Sequence, residues 1–162
     1  MLEIRKLPAD RWRDYRDLRL EALKSDPPAF GSSPEEEEGI AEDEWRRRTQ
    51  DTLFALWDDR PVGMIILAFN DRPKTKHIAS IYGVYVCIDH RGDGVGTRLL
   101  EDALLLVRKK KGIVKVKLAV NPQQRAAVKL YERAGFVVAG RTRKELKVGR
   151  RFFDTLIMEK LF

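Results

Sequence analysis

One cysteine and two histidines are all that 162 residues supply of the side chains that most often hold metals or form disulfides. A lone Cys87 excludes an internal disulfide and a multi-cysteine zinc site. His77 and His90 have no ligand-like partner at a familiar spacing, so no metal is expected. Long hydrophobic runs are also missing. The longest pure stretch, "MIILAF", has the length of a buried strand and is far too short to span a bilayer. The opening "MLEIRKLPADRW" has no apolar signal-peptide core. Repeats, low-complexity linkers and composition breaks are absent too. These absences point to one soluble, cytoplasmic domain over residues 1–162, with no membrane partner.

What is present is a chain with a core to bury: 43% of residues are hydrophobic. The 32 basic and 25 acidic residues leave a net charge of +7, which suits an anionic partner such as a phosphorylated cofactor. The charge is uneven: "PEEEEGIAEDE" is acidic, whereas "RKKKGIVKVK" and "GRTRKELKVGRR" are basic. No helix-turn-helix and no basic-aromatic surface motif accompanies them, so nucleic acid is not an expected partner.

Periodicity divides the chain. "LEIRKL" alternates as a strand. From Asp10 to Ser25, Trp12, Tyr15, Leu18, Ala22 and Leu23 share one helical face, and "SDPP" stops that helix. In "GSSPEEEE", Ser33 is placed to cap, Pro34 suits the first turn, and the acids complement the helix dipole; this second helix is expected to run to about Arg48. "TLFALW" and "PVGMIILAF" are strands around "DDR", and "HIASIYGVYVCI" is a longer strand with Gly83 as a candidate bulge. A helix from about Gly94 to Lys111, the strand "IVKVKLAV", a helix closed by Gly135 and an antiparallel pair turning near Gly149 complete the order. The class is α/β or α+β with a mixed sheet.

The stretch "VYVCIDHRGDGVGTRLL" joins a buried strand to an amphipathic helix through Gly92, Gly94 and Gly96. Such a turn leaves amides unpaired at a helix start, where the dipole adds roughly half a positive charge. The result suits phosphates, and Arg91 adds a fixed cation. The Gly-Lys-Ser/Thr ending of the P-loop is absent. The dinucleotide fingerprint fails as well, because the glycine order is G-x-G-x-G and no acidic residue follows the next strand.

Arg-x-x-Gly-x-Gly after a hydrophobic strand, here "RGDGVG" from Arg91 to Gly96, resembles motif A of the GNAT superfamily of N-acetyltransferases. Downstream, "VNPQQRAAVKLYERAGF" is similar to motif B of that family. The resemblance covers nearly the whole chain. It implies a mixed, mostly antiparallel central sheet of about seven strands flanked by about four helices. It implies acetyl-CoA as cosubstrate, with its pyrophosphate on Arg91, Gly92, Asp93, Gly94, Val95, Gly96 and Thr97. The pantetheine arm would pair with the main chain of Val84, Tyr85 and Val86, where this strand and the next splay apart, and the same strand's amides would steady the thioester carbonyl. Asn121 and Gln124 are further contacts by resemblance; the family often has an asparagine where Gln124 stands. Tyr131 matches the motif B tyrosine, near the sulfur, and would protonate the leaving thiolate. From spacing alone, Tyr131 reads first as a packed core tyrosine, and the resemblance is what favours the catalytic role.

The implied activity is direct acetyl transfer to the primary amine of a small molecule in a ternary complex, with no acyl-enzyme. A protein or peptide amine, or an acyl-CoA-binding domain without catalysis, remain the alternatives. Where many members carry a glutamate base, this chain has Ser80; Tyr82, His77, His90 or ordered water stand open for the role, as does a substrate that arrives neutral. Cys87 reads as a small apolar filler. Phe30, Trp45 and the acidic run are candidates to recognise a cationic acceptor, against a plain solvated helix start. Dimers are common in the superfamily, so a homodimer enters by analogy.

Overall fold

The computed structural model describes residues 1–162. A seven-stranded sheet runs in the order β1-β2-β3-β4-β5-β7-β6. Its strands are β1 (Leu2–Lys6), β2 (Thr52–Trp57), β3 (Arg60–Phe69), β4 (Ile78–Val86), β5 (Lys115–Val120), β6 (Val137–Val148) and β7 (Arg151–Leu161). Only β4 and β5 are parallel neighbours. Five α-helices, one more than expected, pack on the sheet: α1 (Trp12–Ser25), α2 (Pro34–Glu38), α3 (Glu42–Gln50), α4 (Val95–Lys109) and α5 (Arg125–Arg133).

The extra helix comes from a break. The acidic segment does not continue from Ser33 to Arg48; α2 ends at Gly39 and α3 starts after Ala41. Ser33 and Glu36 form a reciprocal capping box at the start of α2, which satisfies two end amides. Glycine is a poor helix interior residue, and stopping there turns Glu37 inward. Its carboxylate lies 2.9 and 3.0 Å from the Arg19 guanidinium nitrogens and 3.3 Å from Arg48 Nη1.

The sheet carries a core on each face. One joins α4 and α5 to β2–β5 and β7 through residues such as Leu99, Leu100, Ala103, Val116, Leu118, Tyr131 and Met158. The other joins α1 and α3 to β2–β4. It contains all five expected face residues of α1, together with Phe30, Trp45 and Phe54. Trp45 and Phe30 are therefore core residues, and the acceptor role considered for them is corrected: Trp45 stacks edge-on against Tyr15 at 5.5 Å. Alternation on β5 follows the same logic, with Val116, Leu118 and Val120 buried and Lys117 and Ala119 exposed.

Candidate active site

The sheet is parted down its middle. β4 and β5 pair only at Ile78↔Lys115, Ala79↔Val116 and Ser80↔Lys117. Beyond those pairs β4 runs on to Val86 and β5 to Val120 with no ladder between them. Each is held instead by its outer neighbour: β3 pairs β4 as far as Val86, and β7 pairs β5 as far as Val120. The inner edges of both strands are left as a slot.

Gly83 shapes one wall. Met64 pairs with Tyr85 while Ile66 pairs with Tyr82, so β4 carries one extra residue, a bulge. Gly83 adopts φ +58°, and a Cβ there would stand 2.8 Å from Ile66 Cδ1 and 3.0 Å from Arg19 Nη1. Only glycine fits. Past the bulge, the amide of Cys87 donates to Val62 O on β3 at 2.8 Å. Strand alternation then turns the main chain of Val86, and of Val84 before it, towards the slot. Tyr85 is buried between them and points to the α1 face; burial pushes its phenol up to about 12.

At the end of β4 the chain enters the glycine loop. The amides of Gly92, Asp93, Gly94, Val95, Gly96 and Thr97 donate to no protein acceptor. Gly92 and Gly94 sit at φ +84° and +80°, with open space where a Cβ would be. Gly94 is the N-cap of α4, so no side chain caps the helix, and its first turn holds no acid. Unpaired amides at an uncapped helix start, in reach of solvent, fit a pyrophosphate. The free run begins at Gly92 and not at Arg91, whose own amide donates to Ile88 O at 3.2 Å. The Arg91 guanidinium is also engaged: Nε donates to Val86 O and Nη2 to Asp26 Oδ2, both at 2.8 Å, and it stacks over the Tyr85 ring at 5.4 Å. It is a clamp in this structure rather than a free cation.

α5 packs beside the first turn of α4 and the end of β4. Leu130 lies 3.4 Å from the place of a Cβ on Gly96, close to Val86 Cγ2, and this seats α5 on the first turn of α4. Next to it Tyr131 is 5% exposed, edge-on to Phe136 at 5.9 Å. Its hydroxyl has no hydrogen bond to the protein. Burial alone pushes its pKa up, so the phenol is protonated at neutral pH. Asn121 ends β5 buried, with Nδ2 donating to Pro28 O at 3.3 Å and Oδ1 accepting from the Gln123 amide at 2.9 Å. Gln124 is the N-cap of α5 and makes no side-chain cap bond.

The remaining candidates separate. Ser80 is buried at the closed end of the slot, paired with Lys117. Tyr82 is 56% exposed beside the bulge. His77 precedes β4 at the end remote from the glycine loop, and His90 rests 5.7 Å from the Trp57 ring. Cys87 Sγ donates to Glu21 Oε2 at 3.1 Å, and burial pushes its thiol up to about 12; it is no activated nucleophile. Glu37, the buried carboxylate, approaches the bulge only through Arg19 and is committed to two arginines. No sequence spacing signals Arg19, Asp26 or Glu21 as neighbours of this site, because each arrives from α1 or its end, about sixty-five residues away.

The acetyltransferase (GNAT) family model matches residues 12–136. The chain belongs to the GNAT family. Over 115 residues it is 31% identical to a mycothiol acetyltransferase of Salinispora tropica, covering 67% of this chain and 38% of that protein. The chain thus spans about two fifths of the length of that curated relative. Among solved structures, a GNAT-family acetyltransferase of Streptococcus pneumoniae superposes with a TM-score of 0.89 at 21% identity, covering 100% of both chains. A putative acetyltransferase, yncA, of Salmonella typhimurium, solved with acetyl-CoA, gives 0.83 at 16% identity over 99% of this chain and 94% of that one. At such identities these likenesses show the GNAT fold, including its seven-stranded mixed sheet.

Proposed function

We propose that residues 1–162 act as a single N-acetyltransferase domain that moves the acetyl group of acetyl-CoA to the primary amine of a small molecule. The observation that carries this reading is the run of unpaired amides from Gly92 to Thr97 beyond the end of β4, where β4 and β5 have parted. Those amides and the α4 dipole hold the pyrophosphate. The inner edge of β4 at Val84 and Val86 pairs with the peptide-like pantetheine arm, as an added strand would. The yncA structure with acetyl-CoA bound supports the cosubstrate. A relative named for mycothiol rather than for a protein supports a small acceptor.

In the reaction the amine lone pair attacks the thioester carbonyl carbon. The oxygen takes up charge beside the β4 amides, which stabilise it as an oxyanion hole does. The C–S bond then breaks, the amide forms, and the thiolate takes a proton from Tyr131 Oη. The nitrogen sheds one proton to water, and water passes a proton back to the Tyr131 phenolate. An amine with a pKa of about 10.4 is mostly protonated near neutrality. With Ser80 at the usual base position and Glu37 held by arginines, the acceptor reacts as the neutral amine that free solution supplies. The value of kcat/KM therefore rises with pH towards the acceptor's own pKa.

The test is release of free CoA thiol from acetyl-CoA across polyamines, amino acids, aminoglycosides and short peptides. Amine-dependent release that climbs with pH supports the reading. No release from any amine, in protein that binds acetyl-CoA, favours the non-catalytic binding domain instead; release with peptides alone moves the acceptor to a protein amine.

A further inference from the structure

The segment after α1 is tied to both walls of the slot. On the β4 side, Asp26 Oδ2 accepts from Arg91 Nη2 at 2.8 Å. On the β5 side, Pro28 O accepts from Asn121 Nδ2 at 3.3 Å. Between these ties Pro27–Ala29 forms a single 3-10 turn. The segment is thus a strap across the open end of the parted strands. Its β4 tie has a second consequence. While Asp26 holds Nη2, the same guanidinium places Nε on Val86 O at 2.8 Å, and Val86 is the residue whose main chain faces the slot.

We propose that Asp26 is a positioning residue that acts as an internal stand-in for the cosubstrate's pyrophosphate, keeping Arg91 over the Val86 carbonyl until an incoming diphosphate competes for the guanidinium. This rests on the placement of acetyl-CoA argued above. Two anions, the Asp26 carboxylate and the pyrophosphate at the neighbouring amides, then share one cation. A guanidinium presents its donors in a fixed fork, so turning Nη2 away from Asp26 also lifts Nε from Val86 O. That carbonyl becomes free to accept from a pantetheine amide, and the strap loses its β4 tie as the slot fills. Binding of the diphosphate end and opening of the pantetheine edge are coupled through one side chain. No covalent step is involved.

The two roles open to Asp26 predict opposite signs. A competitor for Arg91 weakens binding, so Asp26→Asn binds acetyl-CoA more tightly. A merely structural tie supports the slot, so its loss leaves affinity unchanged or lowers it. The side chains of Arg91 and Asp26 are 43% and 26% exposed. A pair this open supplies about a two- to fivefold effect. The control is Asp89→Asn, which removes an equal charge two residues from Arg91 at a side chain that makes no ion pair. Titration calorimetry of acetyl-CoA into wild type, Asp26→Asn, Asp26→Ala and Asp89→Asn reads the outcome. Tighter binding in both Asp26 variants and not in Asp89→Asn supports the proposal. Equal or weaker binding in the Asp26 variants overturns it, and so does an equal gain in Asp89→Asn, which marks a general charge effect. Wild-type protein that binds no acetyl-CoA removes the site assignment itself, and this proposal with it.

Discussion

Tyr131 combines two properties that rarely serve the same purpose: a ring buried in the core and a hydroxyl that the protein leaves without a partner. Burial favours the neutral phenol, so its pKa rises above the ordinary 10.0. The donor is loaded at every pH an assay normally visits. The rate should therefore show no falling limb from this group below about pH 10. Tyr131→Phe keeps the ring that packs on Phe136 and removes only the proton donor. We expect kcat to fall by about 10²–10⁴ with the acetyl-CoA dissociation constant nearly unchanged. Steady-state kinetics beside a binding titration checks both, and an unaltered kcat would make Tyr131 a packing residue. Its position was legible because "LYERAGF" is a local pattern. Asp26 was not legible: its meaning depends on Arg91, 65 positions along the chain, and no periodicity links the two.

At the scale of elements, strands and turns followed their patterns closely. The turn between β2 and β3 places Asp58 and Asp59 at φ +48° and +66°, a conformation aspartate tolerates better than most residues. The five apolar positions read on α1 are all buried. The acidic segment misled because charge spacing along "PEEEEGIAEDEW" continues smoothly through Gly39; the glycine permits the break, and the tertiary contacts of Glu37 hold it. Glu37 is buried with Arg19 and Arg48, whose side chains are 12% and 33% exposed. Removing one partner of a buried set leaves the others uncompensated, at a cost of about 3–5 kcal/mol. Glu44 continues to hold Arg48, which places Glu37→Gln near the lower figure. Thermal unfolding should show a fall in Tm on the order of 10 °C. An unchanged Tm would mean that the triad contributes nothing net. Because Arg19 also abuts Gly83, the same variant loosens the bulge that shapes the slot.

Across the whole molecule, the proposed function depends on a sheet that fails to close. Hydrophobic pattern identified the strands on either side of the slot but not the slot, since a ladder that stops after Ser80↔Lys117 leaves no mark in composition. The splay is implied only by the resemblance, whereas the expectation that the loop binds an anion follows from glycines between a strand and a helix. In the proposed complex the amides from Gly92 to Thr97 receive the pyrophosphate. Gly94 tests this most directly, because its φ of +80° strains any side chain while a Cβ there meets nothing in the folded protein. A β-branched residue in that conformation costs about 1–3 kcal/mol, which the loop relieves by turning its amides away. Acetyl-CoA should be titrated calorimetrically into wild type and Gly94→Val, with unfolding curves run on both. Binding should weaken about tenfold or more in a variant that still unfolds cooperatively; equal affinity in a folded Gly94→Val protein would mean that these amides do not receive the pyrophosphate.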